Sequence, residues 1–328
     1  MKRGAILPGL ALLTLLAFAC SCAKAGSRSD ADPFLGRWDI TLQTPEREFA
    51  SWLEISQDNG ELRARMVGRW GHARLLPRAE LVNGAIRLVS PKEEEGTTTD
   101  LIFEGRRSGT SLVGTTSGPD RTVWTWRGEP APTLERARAP RWGKPITLFN
   151  GRDLSGWRMS DPSAKSVWQV RDGMLISPGR GPDLLSDAQF EDFKLHIEFM
   201  CAPGSNSGVY LRGRYEVQIE DDPQIEDEPQ PANWGTGSIY GFLAPSPPAP
   251  RQPAAWHAFD LTLIGRRVTV VLDGRTIIAD QEIPGITGGA LDSHEALPGP
   301  IYLQGSEDGR VSFRSIVVRR ARAGEALH

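Results

Sequence analysis

The sequence predicts an all-β protein: a small antiparallel β-barrel or sandwich followed by a larger two-sheet β-sandwich. Three observations predict it. Val, Ile, Leu and aromatic residues alternate with polar ones in short runs, the period of side chains pointing to opposite faces of a strand. Turn pairs such as Asn83-Gly84 and Asp172-Gly173 separate the runs, and their residues tolerate the positive φ of tight hairpins. No amphipathic helical repeat of useful length interrupts the series.

The chain has 328 residues and a formal net charge of -3. A near-neutral balance gives no electrostatic reason for a nucleic-acid partner. Lys2 and Arg3 precede an apolar run that ends at Ala19, the layout of a secretory signal, and the run is short for a membrane span. Cys20 directly after Ala19 resembles the lipid-accepting cysteine of bacterial lipoproteins, with Cys22 as the second candidate. Residues 1–22 therefore read as a lipoprotein-like signal and 23–33 as a tether. The mature protein is expected to be exported, periplasmic or in the outer membrane facing an aqueous compartment, and to touch a membrane only through a lipid anchor.

From residue 34 to 130 the runs FLGRWDITLQ, ASWLEISQ, ELRARMVGR, AELV, AIRLVS, DLIFEGRRSG, TSLVGTTSG and TVWTWRGE give about seven short strands. Trp38, Trp52, Trp124 and Trp126 are expected in the core of this first domain. Residues 131–145, rich in proline and arginine, read as the linker. Longer strands resume over 146–321, including FKLHIEFMCA, GVYLRG, RYEVQIED, SIYGFLAP, HAFDLTLIG and VSFRSIVVRR, and 322–328 form a tail. So many long strands should divide into two packed sheets. The acidic loop from Glu220 to Gly237 reads as a solvated rim, with a structural calcium site as the alternative. Cys201 and His196 read as structural, and no cofactor or metal is expected.

Walker, Rossmann, zinc-spaced and GxSxG motifs are absent. The richest stretch is GSNSGVYLRGRYEVQIEDD. Its odd positions from Val209 to Ile219 are apolar apart from one glycine, whereas Tyr210, Arg212, Arg214, Glu216, Gln218 and Glu220 share the other parity. Burying those polar groups unpaired would be costly, so that face must meet water, partners or ligand. One reading is an outer face with cross-strand ion pairs from Arg212 or Arg214 to Glu216 or Glu220. The other is a binding face.

Resemblance favours the second. LFNGRDLSGW, GSNSGVYLRGRYEVQIED, TGSIYGFLAP, TGGALDSHEALPGPIYLQG and VSFRSIVV, in that order from about 146 to 320, resemble the 3-keto-disaccharide hydrolase domain family. The resemblance implies a concanavalin-like jelly-roll β-sandwich acting on oxidised, 3-keto disaccharides or glycosides. Its E-x-Q-x-E is similar to the E-x-D-x-E of laminarinase-like glycosidases, with Gln218 in place of the aspartate. That argues against a retaining mechanism, which needs two carboxyls about 5–5.5 Å apart. A 3-keto sugar offers carbonyl-assisted elimination and hydration instead. The resemblance makes Glu216 and Glu220 the catalytic candidates, and Asn206, Tyr210, Arg212, Gln218, Tyr240, His257 and Gln304 the substrate-binding ones. Trp157, Trp168, Trp234 and Trp256 suit sugar stacking. Relatives commonly read LQGDHG where this chain reads LQGSEDG; Glu307, Asp308, His257 or His294 are the candidates to replace the missing histidine. A carbohydrate-binding, lectin-like lipoprotein without catalysis is the alternative function.

Overall fold

The computed structural model describes Met1 and residues 31–117, 122–136, 138–221, 231–250 and 252–322. The signal with Cys20 and Cys22, and residues 222–230 of the acidic loop, lie outside the described residues. The first domain contributes nine strands: β1 Gly36–Gln43, β2 Glu48–Asp58, β3 Glu61–Val67, β4 Arg74–Leu75, β5 Arg78–Val82, β6 Ala85–Ser90, β7 Leu101–Ser108, β8 Ser111–Ser117 and β9 Val123–Pro130. They form one antiparallel sheet in the order β4-β3-β2-β1-β9-β8-β7-β6-β5. The sheet curls until β3 meets β5. Leu42, Ile86, Leu88, Leu112, Trp38, Trp124 and Trp126 fill its inside. Each run named from the sequence carries a strand, and the two-residue β4 is the addition that no run foretold.

The second domain holds β10 Ile146–Thr147, β11 Trp157–Met159, β12 Gln169–Arg171, β13 Met174–Ser177, β14 Leu184–Phe190, β15 Phe193–Cys201, β16 Asn206–Leu211, β17 Tyr215–Glu220, β18 His257–Ile264, β19 Arg267–Leu272, β20 Arg275–Glu282, β21 Gly299–Leu303 and β22 Val311–Arg320. One sheet runs β12-β13-β22-β15-β18-β19-β20, with β10 also on β22, and the other runs β11-β14-β21-β16-β17. Their inner faces bury Phe193, Leu195, Ile197 and Phe259 from one sheet against Val209, Leu211, Val217 and Ile219 from the other. This is a concanavalin-like jelly-roll sandwich. Among the described residues the only α-helical segment is the single turn Lys92–Glu95. SIYGFLAP is not a strand; its backbone makes isolated bridges, and Ser238 O and Glu216 O take bonds that tie residues 237–240 along the free edge of β17. An exposed sheet edge is covered in this way.

The two domains share apolar packing. Trp52, expected inside the barrel, instead points outward from β2 and joins Ala50 and Val67 in the apolar cluster of the sandwich. Its ring meets Phe242 edge-on at 5.1 Å. A side chain on Gly285 would collide with it, since a Cβ there would lie 2.1 Å from the indole nitrogen. Around this contact Arg37 Nη1 bonds Glu282 at 2.6 Å and Thr41 meets Ser293. Asp39 sits buried among Glu295, Arg266, Arg214 and Asp292. Loss of water and the Glu295 charge push its carboxyl up to about 8, against the pull of the arginines.

Candidate active site

The site is built on the β16–β17 hairpin, and its register decides which side chains meet. Tyr210 lies opposite Glu216, Gly208 opposite Gln218 and Asn206 opposite Glu220. On the other side β21 places Tyr302 beside Tyr210 and Leu185 of β14 beside Tyr302. Tyr210 and Tyr302 stack at 4.2 Å with an interplanar angle of 10°, and with Leu185 they form a separate small cluster on the face turned away from the core. Gln304 continues the row, its N–H bonded to Gly208 O at 3.0 Å. Asn206, Tyr210, Glu216, Gln218, Glu220 and Gln304 therefore share one face, as the alternation expects. Tyr240 joins them from the covering segment, its N–H bonded to Glu216 O at 3.1 Å.

This face is covered. Glu216 and Gln218 are each 3% exposed. Burial pushes the Glu216 carboxyl well above the usual carboxylate range, Glu307, Glu220 and Asp183 push it the same way, and a hydrogen bond with Tyr210 opposes them. Tyr210 donates its single proton to Gly288 O at 2.9 Å. Asp183 is raised by burial as well, although Gly305 N–H and Tyr302 Oη both donate to it at 2.9 Å. Glu307, raised by desolvation, accepts from Gln304 Nε2 at 3.2 Å, and its N–H donates to Asn206 O. Asn206 Oδ1 and Gln304 Oε1 are buried and have no partner among the described residues. Buried acceptors normally find donors, so these two are fitted to receive hydroxyls.

Three candidates lie elsewhere. Arg212 belongs to the hairpin turn, with φ +54, and its guanidinium points inward to Tyr215 Oη at 3.0 Å and Gly265 O at 2.8 Å. Arg214 goes to Asp292 at 2.8 Å, so neither arginine pairs across the strands with Glu216 or Glu220. His257 stands on the other sheet, held by Asp273 at 2.7 Å with its ring tilted against Phe199 at 5.6 Å, a structural role. His294 is exposed beside Asp292 at the far end of the hairpin. Trp157 and Trp168 are core residues and Trp256 lies under Arg314, which leaves Trp234 near the site. Among the described residues, no group of three His, Cys, Asp or Glu side chains is arranged to hold a metal ion.

Residues 144–319, more than half of the chain, match the model of the 3-keto-alpha-glucoside-1,2-lyase-like domain. The chain belongs to that family. It is similar in structure to a proposed glycosyl hydrolase from Parabacteroides distasonis ATCC 8503, at 31% identity and TM-score 0.46, over 54% of this chain and 83% of that one. A second such protein from the same organism has 24% identity and TM-score 0.44, over 54% and 100%. Carbohydrate-binding module CBM66 from Bacillus subtilis has 14% identity and TM-score 0.32, over 50% and 95%. No curated protein matches the chain. Membership rests on the sequence match over 144–319.

Within this lyase-like domain the sequence reading missed Asp183 and Tyr302. Tyr302 lies within IYLQG, where only Gln304 stood out, and Asp183 carries no motif; each reaches the site by pairing of distant strands. Gly208 was quoted but given no role. A Cβ there would lie 2.3 Å from Glu216 Oε1, and its three nearest atoms would all belong to Glu216, so the glycine makes room for the carboxyl. Gly208→Ala is expected to displace Glu216 and cut any turnover at least tenfold, with a melting temperature close to wild type. A variant with full activity would show that the carboxyl position does not matter.

Proposed function

We propose that this family member is exported and cleaves 3-keto-glycosides by elimination followed by hydration. The observation that carries the reading is the buried Glu216 carboxyl, pushed above the usual carboxylate range by loss of water and by Glu307 on a polar sheet face. A ketone at C3 acidifies the C2 proton. Glu307 takes that proton as base, the electron pair enters the enolate, and the C1–O bond breaks as the pair collapses. Glu216 gives its proton to the departing oxygen, leaving a 1,2-unsaturated 3-ketone. Water then adds at C1 with Glu216 as carboxylate accepting its proton, and C2 regains one from Glu307. Asn206 Oδ1 and Gln304 Oε1 accept sugar hydroxyls. The Gln218 amide, whose Oε1 accepts from Ile219 N–H at 3.1 Å and whose Nε2 makes a long 3.5 Å contact to Glu220, polarises the ketone through Nε2.

The test incubates the chain starting after Ala25 with 3-keto-trehalose and with trehalose in heavy water. Release of 3-keto-glucose from the keto sugar alone, with deuterium at C2, is expected. Release without deuterium overturns elimination. Tight binding with no release supports the second reading, a lectin-like protein, which draws on the absence of a histidine from the 305–309 turn.

A further inference from the structure

The barrel reaches over the sandwich at the end of β3. A Cβ on Gly288 would lie 2.0 Å from Gly71 O, and one on Gly241 2.8 Å from Ala73 N, so these backbones touch. Gly288 is the residue whose carbonyl accepts from Tyr210, and Gly241 follows Tyr240, so the barrel loop rests on two walls of the Glu216 site. The His72 ring lies 4.4 Å from Trp234, which in turn neighbours Tyr240 at 6.3 Å. Next to it Trp70 is 43% exposed, and no other tryptophan among the described residues is open to this degree. The indole is nevertheless fixed. Arg69 covers it at 4.1 Å, Phe49 meets it edge-on at 6.1 Å, and Arg47 lies over Phe49 at 4.2 Å. The charge of Arg47 is felt by Asp183 and Tyr302 on the sheet face, which places this stack on the site's side of the barrel.

An exposed ring held by one cation and an aromatic edge presents an apolar plane at little entropic cost, the surface a pyranose or flat aglycone stacks upon. We propose that Trp70, Arg47 and His72 of the barrel form a subsite for the leaving-group half of the glycoside, with Trp70 as the stacking platform and Arg47 donating to hydroxyls. The N-terminal domain then selects the second half of the substrate while the sandwich handles the keto sugar. The inference rests on the cleavage reading for the identity of the first half.

The experiment compares wild type, Trp70→Ala, Trp70→Phe and Arg47→Ala on 3-keto-trehalose and on methyl 3-keto-α-glucoside, whose leaving group is too small to reach the barrel. Trp70→Ala is expected to raise KM for the disaccharide about tenfold more than for the methyl glycoside, equivalent to about 1.4 kcal/mol. Trp70→Phe should recover most of that difference, and Arg47→Ala should shift it in the same direction as Trp70→Ala. Equal effects on both sugars, or none on either, overturn the subsite. If neither sugar is cleaved, calorimetric affinities give the same ratio: a ratio preserved overturns cleavage and supports the subsite, and absence of binding overturns both.

Discussion

Glu216→Gln is expected to lower turnover of a 3-keto disaccharide about 10³-fold while sugar affinity stays within a few-fold of wild type. The amide keeps the volume beside Gly208 and a hydrogen bond to Tyr210, but it cannot deliver a proton to the departing oxygen. Loss of a positioned acid typically costs about 10²–10⁴ in rate. The sign of the pH dependence follows from the raised pKa. A carboxyl held above its usual range stays protonated beyond the pH at which an exposed glutamate ionises, so the active acid form persists upward. The alkaline limb of kcat should lie above the ordinary carboxylate range and vanish in Glu216→Gln. Stopped-flow or discontinuous assays across pH check both statements. More than a tenth of wild-type turnover in the variant would remove Glu216 from the chemistry. Glu307→Gln is the companion, and since the two groups act on one substrate their losses should be far from additive.

Much of this arrangement was readable locally. Alternation and turn pairs are properties of neighbouring residues, so β1, the β5–β6 hairpin at Asn83-Gly84 and the β12–β13 hairpin at Asp172-Gly173 fall where they are expected. The polar face of β16 and β17 was also legible, for a geometric reason. Tyr210 pairs with Glu216 and Gly208 with Gln218, so even residues oppose even residues and the pattern runs unbroken through the turn. That same continuity hid the turn. Arg212 keeps the parity of the binding face, yet at φ +54 it leaves the strand and buries its guanidinium against Tyr215. His257 failed as a candidate because its partners Asp273 and Phe199 come from the opposite sheet. What covers the polar face was beyond local reading altogether. The contacts of Gly71 and His72 with Gly288 and Trp234 join residues far apart in sequence and have no periodic signature.

The domain contact yields the second large effect. Trp52→Ala is expected to destabilise the protein by about 3–5 kcal/mol, the usual cost of emptying a buried aromatic site. The ring is 0% exposed, is shared between β2 and the sandwich, and abuts a glycine that admits no compensating side chain. The cavity would open between two units that each retain their own core, so its consequence differs from that of a core cavity such as one at Phe259. Wild type should melt in one cooperative transition, because the barrel and sandwich lose the Trp52 contact together. Trp52→Ala should melt in two, with the barrel's transition separating from that of the sandwich in calorimetry. Trp52→Phe tests the polar side of the same contact. It removes an indole N–H that is buried with no partner among the described residues, so part of the lost packing is offset by relief of an unsatisfied donor. Its cost should therefore fall well below that of alanine. A single transition in Trp52→Ala with a loss under about 1 kcal/mol would mean that the polar bonds of Arg37 and Thr41 hold the domains together, and that the shared apolar cluster does not.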